Sequence, residues 1–139
     1  MLKGRTIRLA LAATLAFGGA ACDEETPTAP ITPPNPVTVT FSGTVSQSGV
    51  QMHTFKTGGS GQVRATLKEI APNPDLVIGF SLGNLSNDTC QLVLVRDAAK
   101  AGDVLTGTMS GAGDLCVRVY DVGNISNTPA NYTVEVVHP

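Results

Sequence analysis

The chain has 139 residues, of which 42% are hydrophobic, with nine Lys and Arg against eleven Asp and Glu, a net charge of −2. This length allows one domain with a buried core and is too short for two ordinary domains. The acidic balance leaves no basic surface for phosphate backbones, so we expect no binding to nucleic acid.

Residues 1–21 have the three-part pattern of a secretory signal peptide. Basic residues at Lys3, Arg5 and Arg8 precede the uncharged apolar run Leu9–Phe17, and a stretch of small residues follows. A transmembrane anchor is the alternative, but the apolar run is about half of the roughly 20 residues that a spanning helix needs. We therefore predict that the protein is exported and that residues 1–21 are removed.

The next motif is Gly19-Ala20-Ala21-Cys22, which resembles the lipobox of bacterial lipoproteins. In that family lipid is attached to the cysteine sulfur and cleavage occurs before the cysteine, although Gly19 stands where an aliphatic residue is usual. The alternative is ordinary cleavage after Ala21, with Cys22 as a free thiol or in an intermolecular bridge. Lipid on Cys22 would account for an odd number of cysteines in an exported chain. We expect anchoring to a bacterial cell-envelope membrane through Cys22, with the inner and outer membranes both open.

Residues 22–36 are predicted to be an acidic, proline-rich tether. Three acidic residues follow the cysteine, and five prolines lie between positions 27 and 36. Proline fixes φ and removes a main-chain donor, which favours an extended, semi-rigid spacer, although an edge strand is the alternative. Without residues 1–21 the chain has six basic and eleven acidic residues. Membrane attachment therefore depends on the lipid and not on charge.

Residues 37–139 are predicted to form the folded domain. Short alternating, β-branched runs are separated by clusters of Gly, Asn, Ser and Pro, including a long connection at Gly83–Thr89. No segment has a sustained helical period, although Asp97–Ala101 could form one helical turn. The pattern predicts an antiparallel β-sandwich of jelly-roll or Ig-like type with about eight strands. The predicted strands lie near residues 37–46, 50–57, 61–70, 76–82, 90–96, 103–109, 114–122 and 131–137.

The seventh predicted strand has two different faces. Its alternation places Leu115 and Val119 toward the core, and it places Cys116, Arg118 and Tyr120 on the face that should contact solvent. Arg118 and Tyr120 are therefore our candidate contact surface.

Cys90 and Cys116 are the cysteines of the predicted domain, and we expect a structural disulfide between them. A C-x-x-C redox motif is absent from the sequence. The bridge would stabilise the fold by about 3 to 4 kcal/mol through loop closure. With Cys116 on the outer face, Cys90 must reach it along the outer surface of the sheet or from the end of a loop.

A series of strand motifs extends from Val50 to the C-terminal region. The first three are a strand ending in an aromatic residue (Val50–Phe55), a strand led by Gly (Gly61–Leu67) and an Asp-Leu strand start (Asp75–Ile78). The last two are a Gly-led strand with alternating valines (Gly113–Tyr120) and a closing strand led by Tyr (Asn131–Val136). In this order they resemble the bacterial pre-peptidase C-terminal domain, a β-sandwich found beside secreted peptidases and in other exported proteins. The chain departs from that pattern at Leu115, where the family has an aromatic residue, and at Cys116. The resemblance implies an accessory, non-catalytic module.

The sequence carries few residues suited to catalysis. Its histidines are His53, in a predicted strand, and His138, next to the last residue. A lone strand histidine is usually a surface or cross-strand residue, and the motifs of serine hydrolases, zinc peptidases and phosphate-binding loops are absent from the sequence. We therefore expect no enzymatic activity.

Six aspartates lie mostly at the ends of predicted strands, where they could meet. They do not form the closely spaced motif of a calcium loop, so we interpret them as turn-forming and solubilising residues and expect no cofactor, with calcium as the alternative. Zinc is disfavoured because the sequence offers no set of ligands. These aspartates are Asp75, Asp88, Asp97, Asp103, Asp114 and Asp121.

These features predict a non-catalytic cell-envelope lipoprotein that displays an interaction or structural module on a lipid anchor. Its partner would be an envelope or extracellular protein or polymer. The alternative, which comes from the family resemblance, is an accessory, targeting or inhibitory partner of a secreted peptidase.

Overall fold

The computed structural model describes residues 35–139, so the predicted signal peptide, Cys22 and most of the predicted tether lie outside the described residues. The described part contains eight β-strands and no helix. The strands are β1 (Val37–Val45), β2 (Val50–Thr57), β3 (Gly61–Ala71), β4 (Ile78–Ser86), β5 (Thr89–Ala99), β6 (Val104–Met109), β7 (Gly113–Tyr120) and β8 (Ala130–His138). A helix of the length and apolarity needed to cross a membrane is not found among these residues.

The strands form two four-stranded antiparallel sheets. The first sheet has the order β1-β8-β3-β6, and the second has the order β2-β7-β4-β5. The first strand thus pairs with the last, β2 with β7, β3 with β6, and β4 with β5. This nested pairing is the topology of a jelly roll. The predicted antiparallel β-sandwich is confirmed, and the strand order is jelly-roll rather than Ig-like.

The core lies between the sheets and is mostly aliphatic. In β8 the buried residues Tyr132, Val134 and Val136 alternate with half-buried Thr133 and Glu135, as the pleat of a strand requires. The other strands that face the core contribute mainly Val, Leu, Ile and Ala, and the largest fully buried rings belong to Phe80 and Tyr132. Period-two patterning therefore explains both the strands and the location of the core.

The connection between β4 and β5 is much shorter than the predicted Gly83–Thr89 loop. Strand β4 continues to Ser86, and only Asn87 and Asp88 form the turn, with φ of 48° and 59°. Asn and Asp tolerate this left-handed conformation, which two-residue hairpin turns require. Pairing with the start of β5 keeps the polar end of β4 extended, because cross-strand hydrogen bonds outweigh its local turn preference. For the same reason Asp97–Ala99, considered above as part of a helical turn, form the end of β5.

Candidate functional site

The predicted disulfide between Cys90 and Cys116 is present, and it spans an intervening strand. The two Cα atoms are 5.8 Å apart, although β4 lies between β7 and β5 and two strand spacings are ordinarily about 9.5 Å. The close approach occurs at Gly83, which pairs with Cys116 on one side. A Cβ on Gly83 would lie 2.1 Å from the main-chain oxygen of Gln91, so the β5 backbone passes over this glycine.

Cys116 lies on the predicted face of β7, but that position is not in contact with solvent. The neighbours Leu115 and Val117 point into the core, which confirms the alternation, yet Cys116 is also fully buried. Its sulfur is bonded to that of Cys90, and its partner across the ladder is Gly83, which the β5 backbone approaches closely. The expectation of a solvent-facing position is therefore wrong, because the sequence pattern of β7 contains no information on what crosses its outer face.

Arg118 and Tyr120 lie side by side on the outer face of the second sheet. The Arg118 guanidinium carbon is 5.7 Å from the centre of the Tyr120 ring, a cation–π contact. The ring packs on Gly79, where an added Cβ would lie 2.1 Å from a ring carbon. The Tyr120 hydroxyl donates a hydrogen bond of 2.5 Å to the Asp97 carboxylate. Burial, reinforced by Asp97, raises the pKa of Tyr120 to about 12. The tyrosine is thus held in one position.

Exposed apolar side chains surround this pair. Val50 and Met52 in β2 pair directly with Tyr120 and Arg118, and they are 49% and 42% exposed. On the other side, Arg118 pairs with a serine of β4, and that serine pairs with Val95 in β5, which is 50% exposed. We call Val50, Met52, Val95, Arg118 and Tyr120 the outer patch.

The centre of the outer patch contains an unpaired hydroxyl. Ser81 lies in register between Arg118 and Val95 and is fully buried. Its Oγ has no hydrogen-bond partner among the described residues. The patch therefore combines one cation, Arg118, with the Tyr120 ring and three exposed apolar side chains. The sequence identified Arg118 and Tyr120 as candidates but missed the apolar members, because strand register is needed to place Val50, Met52 and Val95 beside them.

His53 joins the two sheets at their β1–β2 side. Its Nε2 is 2.7 Å from the hydroxyl of Tyr132 in the opposite sheet, and its ring stacks on Phe41 with centroids 4.8 Å apart. Burial lowers the pKa of His53 and raises the pKa of Tyr132 to about 12. His138 is buried beside Phe55, with ring centroids 5.2 Å apart. The arrangement closes this side of the sandwich, so these histidines take part in packing.

The aspartates considered as calcium ligands are spread over the domain. Asp114 forms an ion pair of 3.1 Å with Lys56, and Asp103 forms one of 3.0 Å with Arg96. Among residues 35–139 no group of three or more potential metal-ligating side chains converges.

Asp121 fastens two loops together. Its carboxylate accepts main-chain hydrogen bonds from Ser48 at 2.8 Å, Gly123 at 2.9 Å, Asn124 at 2.9 Å and Ile125 at 3.0 Å. These bonds, that from Ser48 foremost, lower the pKa of Asp121 below its ordinary value of 3.8. The residue is therefore a structural clamp between the β1–β2 turn and the segment after β7.

Asp121→Asn should lower the free energy of unfolding at neutral pH by about 1 kcal/mol, because a neutral amide oxygen accepts weaker bonds. Since the folded-state pKa is depressed, the stabilisation is complete above the ordinary value of 3.8 and is lost as the pH falls through the folded-state pKa. Urea unfolding at neutral pH and at about pH 2 should show the two proteins converging in acid. An equal difference at both pH values would show that the charge of Asp121 contributes nothing.

A cavity of about 300 Å³ opens between the sheets on the side opposite His53, where β5 and β6 are the edge strands. Its lining includes no charged side chain, its polar side chains are those of Asn84, Thr108 and Ser110, and Gly107 in β6 contributes only backbone. Apolar side chains of both sheets line it: Val63, Leu82, Val93, Leu94, Met109 and Leu115. Sequence reasoning missed this cavity. The available signal was the unbroken apolar run Leu92–Val95, which an alternating, half-buried strand would not have.

The chain matches no known protein-family model and no curated protein.

Proposed function

We propose that this protein is a non-catalytic bacterial cell-envelope lipoprotein that displays its β-sandwich as an interaction module. The observation that supports the proposal is the outer patch, in which Arg118 and a fixed Tyr120 lie among exposed apolar side chains. Tyr, Met and Arg are enriched at protein interfaces, and rigid aromatic anchors lose little conformational entropy on binding. The partner is an envelope or extracellular protein or polymer.

The lipid anchor is proposed from Gly19-Ala20-Ala21-Cys22 and from the odd cysteine count. The bridge between Cys90 and Cys116 is consistent with this assignment, because it leaves Cys22 as the cysteine without a partner in the chain.

Cys22→Ser should move the protein from the membrane fraction to the soluble fraction, because an acidic chain has no other attraction to anionic lipid. Fractionation of cells followed by mass spectrometry of the N-terminal peptide measures this. As a control, Cys90→Ala should leave the protein in the membrane fraction. A wild-type chain that is already soluble, with an unmodified Cys22, would contradict the lipoprotein assignment.

The role of the outer patch is tested by crosslinking the processed protein in intact cells. The double variant Met52→Ser, Arg118→Ala should lose most of the crosslinked partner, whereas Val37→Ser, an exposed valine on the edge of the other sheet, should retain it. Equal crosslinking by all three proteins would contradict an interaction through this patch. Stoichiometric capture of a secreted peptidase would favour the alternative function, an accessory, targeting or inhibitory partner.

The non-catalytic assignment rests on the packing roles of His53 and His138. Turnover of a hydrolase substrate by the wild type that is lost in His53→Ala but kept in Tyr132→Phe would contradict it. Both substitutions break the same hydrogen bond, so the comparison separates chemistry from stability.

A further inference from the structure

We propose that the β5–β6 side of the sandwich binds an extended, uncharged segment of a partner protein. The segment adds as a strand to the edge of β5 and inserts an apolar side chain into the cavity between the sheets. This inference rests on the proposed interaction function and identifies the kind of partner chain and the place where it docks.

The first observation is the free edge of β5. In the described part of the chain, β5 is hydrogen-bonded to β4 alone. Its residues Leu92, Val93 and Val95 are 40%, 64% and 50% exposed, and the run Thr89–Val95 has no charged residue. Exposed edges are commonly protected by Lys, Pro, β-bulges or covering loops. This edge lacks charge and proline along that run and has one bulge in it, so a short stretch of it is suited to pairing with another strand.

The second observation is the cavity beside that edge. A strand added next to β5 would direct alternate side chains toward the space between the sheets, because successive side chains of a strand point to opposite faces. The cavity opens there, with Val93 and Leu94 on the β5 side and Gly107 and Met109 on the β6 side. Main-chain pairing with an edge and pockets for alternate side chains together recognise extended peptides.

The irregularity of β5 limits the length of this pairing. The register of β4 and β5 shifts between Leu82 and Gly83, so that Val93 forms a β-bulge. A bulge bends its strand and redirects a side chain, here at the rim of the cavity. The added strand is therefore short and centred on one inserted side chain.

The chemistry of the occupant follows from the lining. A volume of about 300 Å³ is at the lower end of ligand cavities and accommodates one large aliphatic or aromatic side chain. A charged group placed there would lose its hydration without a counter-charge. A small apolar molecule would fit the cavity but would leave the β5 edge unpaired, so a peptide segment uses both features.

The test uses the complete processed protein and an eight-residue peptide of alternating Thr and Leu with blocked ends. A matched peptide has proline at its two central threonines, which removes main-chain donors. We expect the first peptide to bind, with amide chemical-shift changes confined to β5 and β6, and the proline peptide to bind at least about tenfold more weakly. Acetyl-leucine amide serves as a single-residue probe of the cavity.

Two variants connect binding to the site. Gly107→Val fills the cavity, and its Cβ would be 3.5 Å from Leu94 Cδ1, an ordinary contact, so the fold should be kept. Val93→Asp places a charge on an exposed residue at the rim. Each should weaken binding by about tenfold or more, whereas Val37→Ser should leave the affinity unchanged.

Three results would overturn the inference. They are no binding of the alternating peptide, equal binding of the proline peptide, and unchanged affinity in both Gly107→Val and Val93→Asp. Binding of acetyl-leucine amide as tightly as the peptide would assign a small-molecule pocket instead. A dimer that forms without peptide and is lost in Val93→Asp would assign the edge to a second copy of this chain. Membrane release of Cys22→Ser and crosslinking through the outer patch are independent of these outcomes.

Discussion

Replacing Cys90 and Cys116 together by alanine should lower the free energy of unfolding by about 3 to 4 kcal/mol. The bridge joins residues separated by 26 positions, and crosslinking a loop of that length removes entropy from the unfolded chain. The loss is a large fraction of the roughly 5 to 15 kcal/mol by which domains are stable. Alanine is preferred to serine because Cys116 is fully buried, and a hydroxyl there would need a hydrogen-bond partner.

Urea unfolding of the purified proteins measures this loss, and reduction of the wild type should reproduce it. Cys22→Ser is the matched control, because it removes a cysteine that takes no part in the bridge and should unfold at the wild-type urea concentration. A double alanine variant with an unchanged midpoint and slope would show that the bridge contributes no stability.

Gly83→Ala should destabilise the domain by about 2 to 3 kcal/mol, as overpacking of a tightly packed site does. Its Cβ would lie 2.1 Å from the main-chain oxygen of Gln91 and 2.8 Å from the carbonyl carbon, both of them backbone atoms. This clash is removed only if β5 moves away from β4, and that movement also separates Cys90 from Cys116. The variant should therefore contain more free thiol after oxidative folding than the wild type.

Gly107→Ala is the matched control within the same sandwich. Its added Cβ would be 3.5 Å from Leu94 and 3.9 Å from Leu82, both ordinary contacts with side chains. Replacing a glycine without strain stabilises a protein by about 0.4 to 1 kcal/mol through the unfolded state. The melting temperature should therefore fall for Gly83→Ala and rise for Gly107→Ala, and only Gly83→Ala should contain more free thiol than the wild type. Equal stability of Gly83→Ala and Gly107→Ala would contradict the close approach of β5 to β4.

Most strands could be predicted because their signal is local. Alternation in β7 and β8 places every second side chain in the core, and each of the eight predicted strands is present. The boundaries of β4 and β5 were predicted less well. Polar residues at Asn84 and Ser86 have turn preferences, but they pair with Gln91 and Thr89 in a hairpin. A short stretch of sequence does not show which other segment it pairs with, so the energy of that pairing cannot be included in a local prediction.

The candidate site was predictable in part for the same reason. The outward direction of Arg118 and Tyr120 follows from the alternation of β7. Asp97, which binds the Tyr120 hydroxyl, and the neighbours Val50 and Val95 come from other strands, and only register brings them together. His53 was expected to be a surface or cross-strand residue, and the structure pairs it with Tyr132 in the opposite sheet.

The sequence by itself determined the antiparallel sandwich, the pairing of Cys90 with Cys116 and the core-facing side of alternating strands such as β7 and β8, because these follow from side-chain alternation and cysteine count. Only the tertiary structure decided the jelly-roll order, the passage of β5 over Gly83, the outer patch and the cavity beside the free β5 edge. Alternation is a property of one strand. Which strands become neighbours, and which edge is left unpaired, depends on contacts between residues far apart in the chain, as in the pairing of β1 with β8.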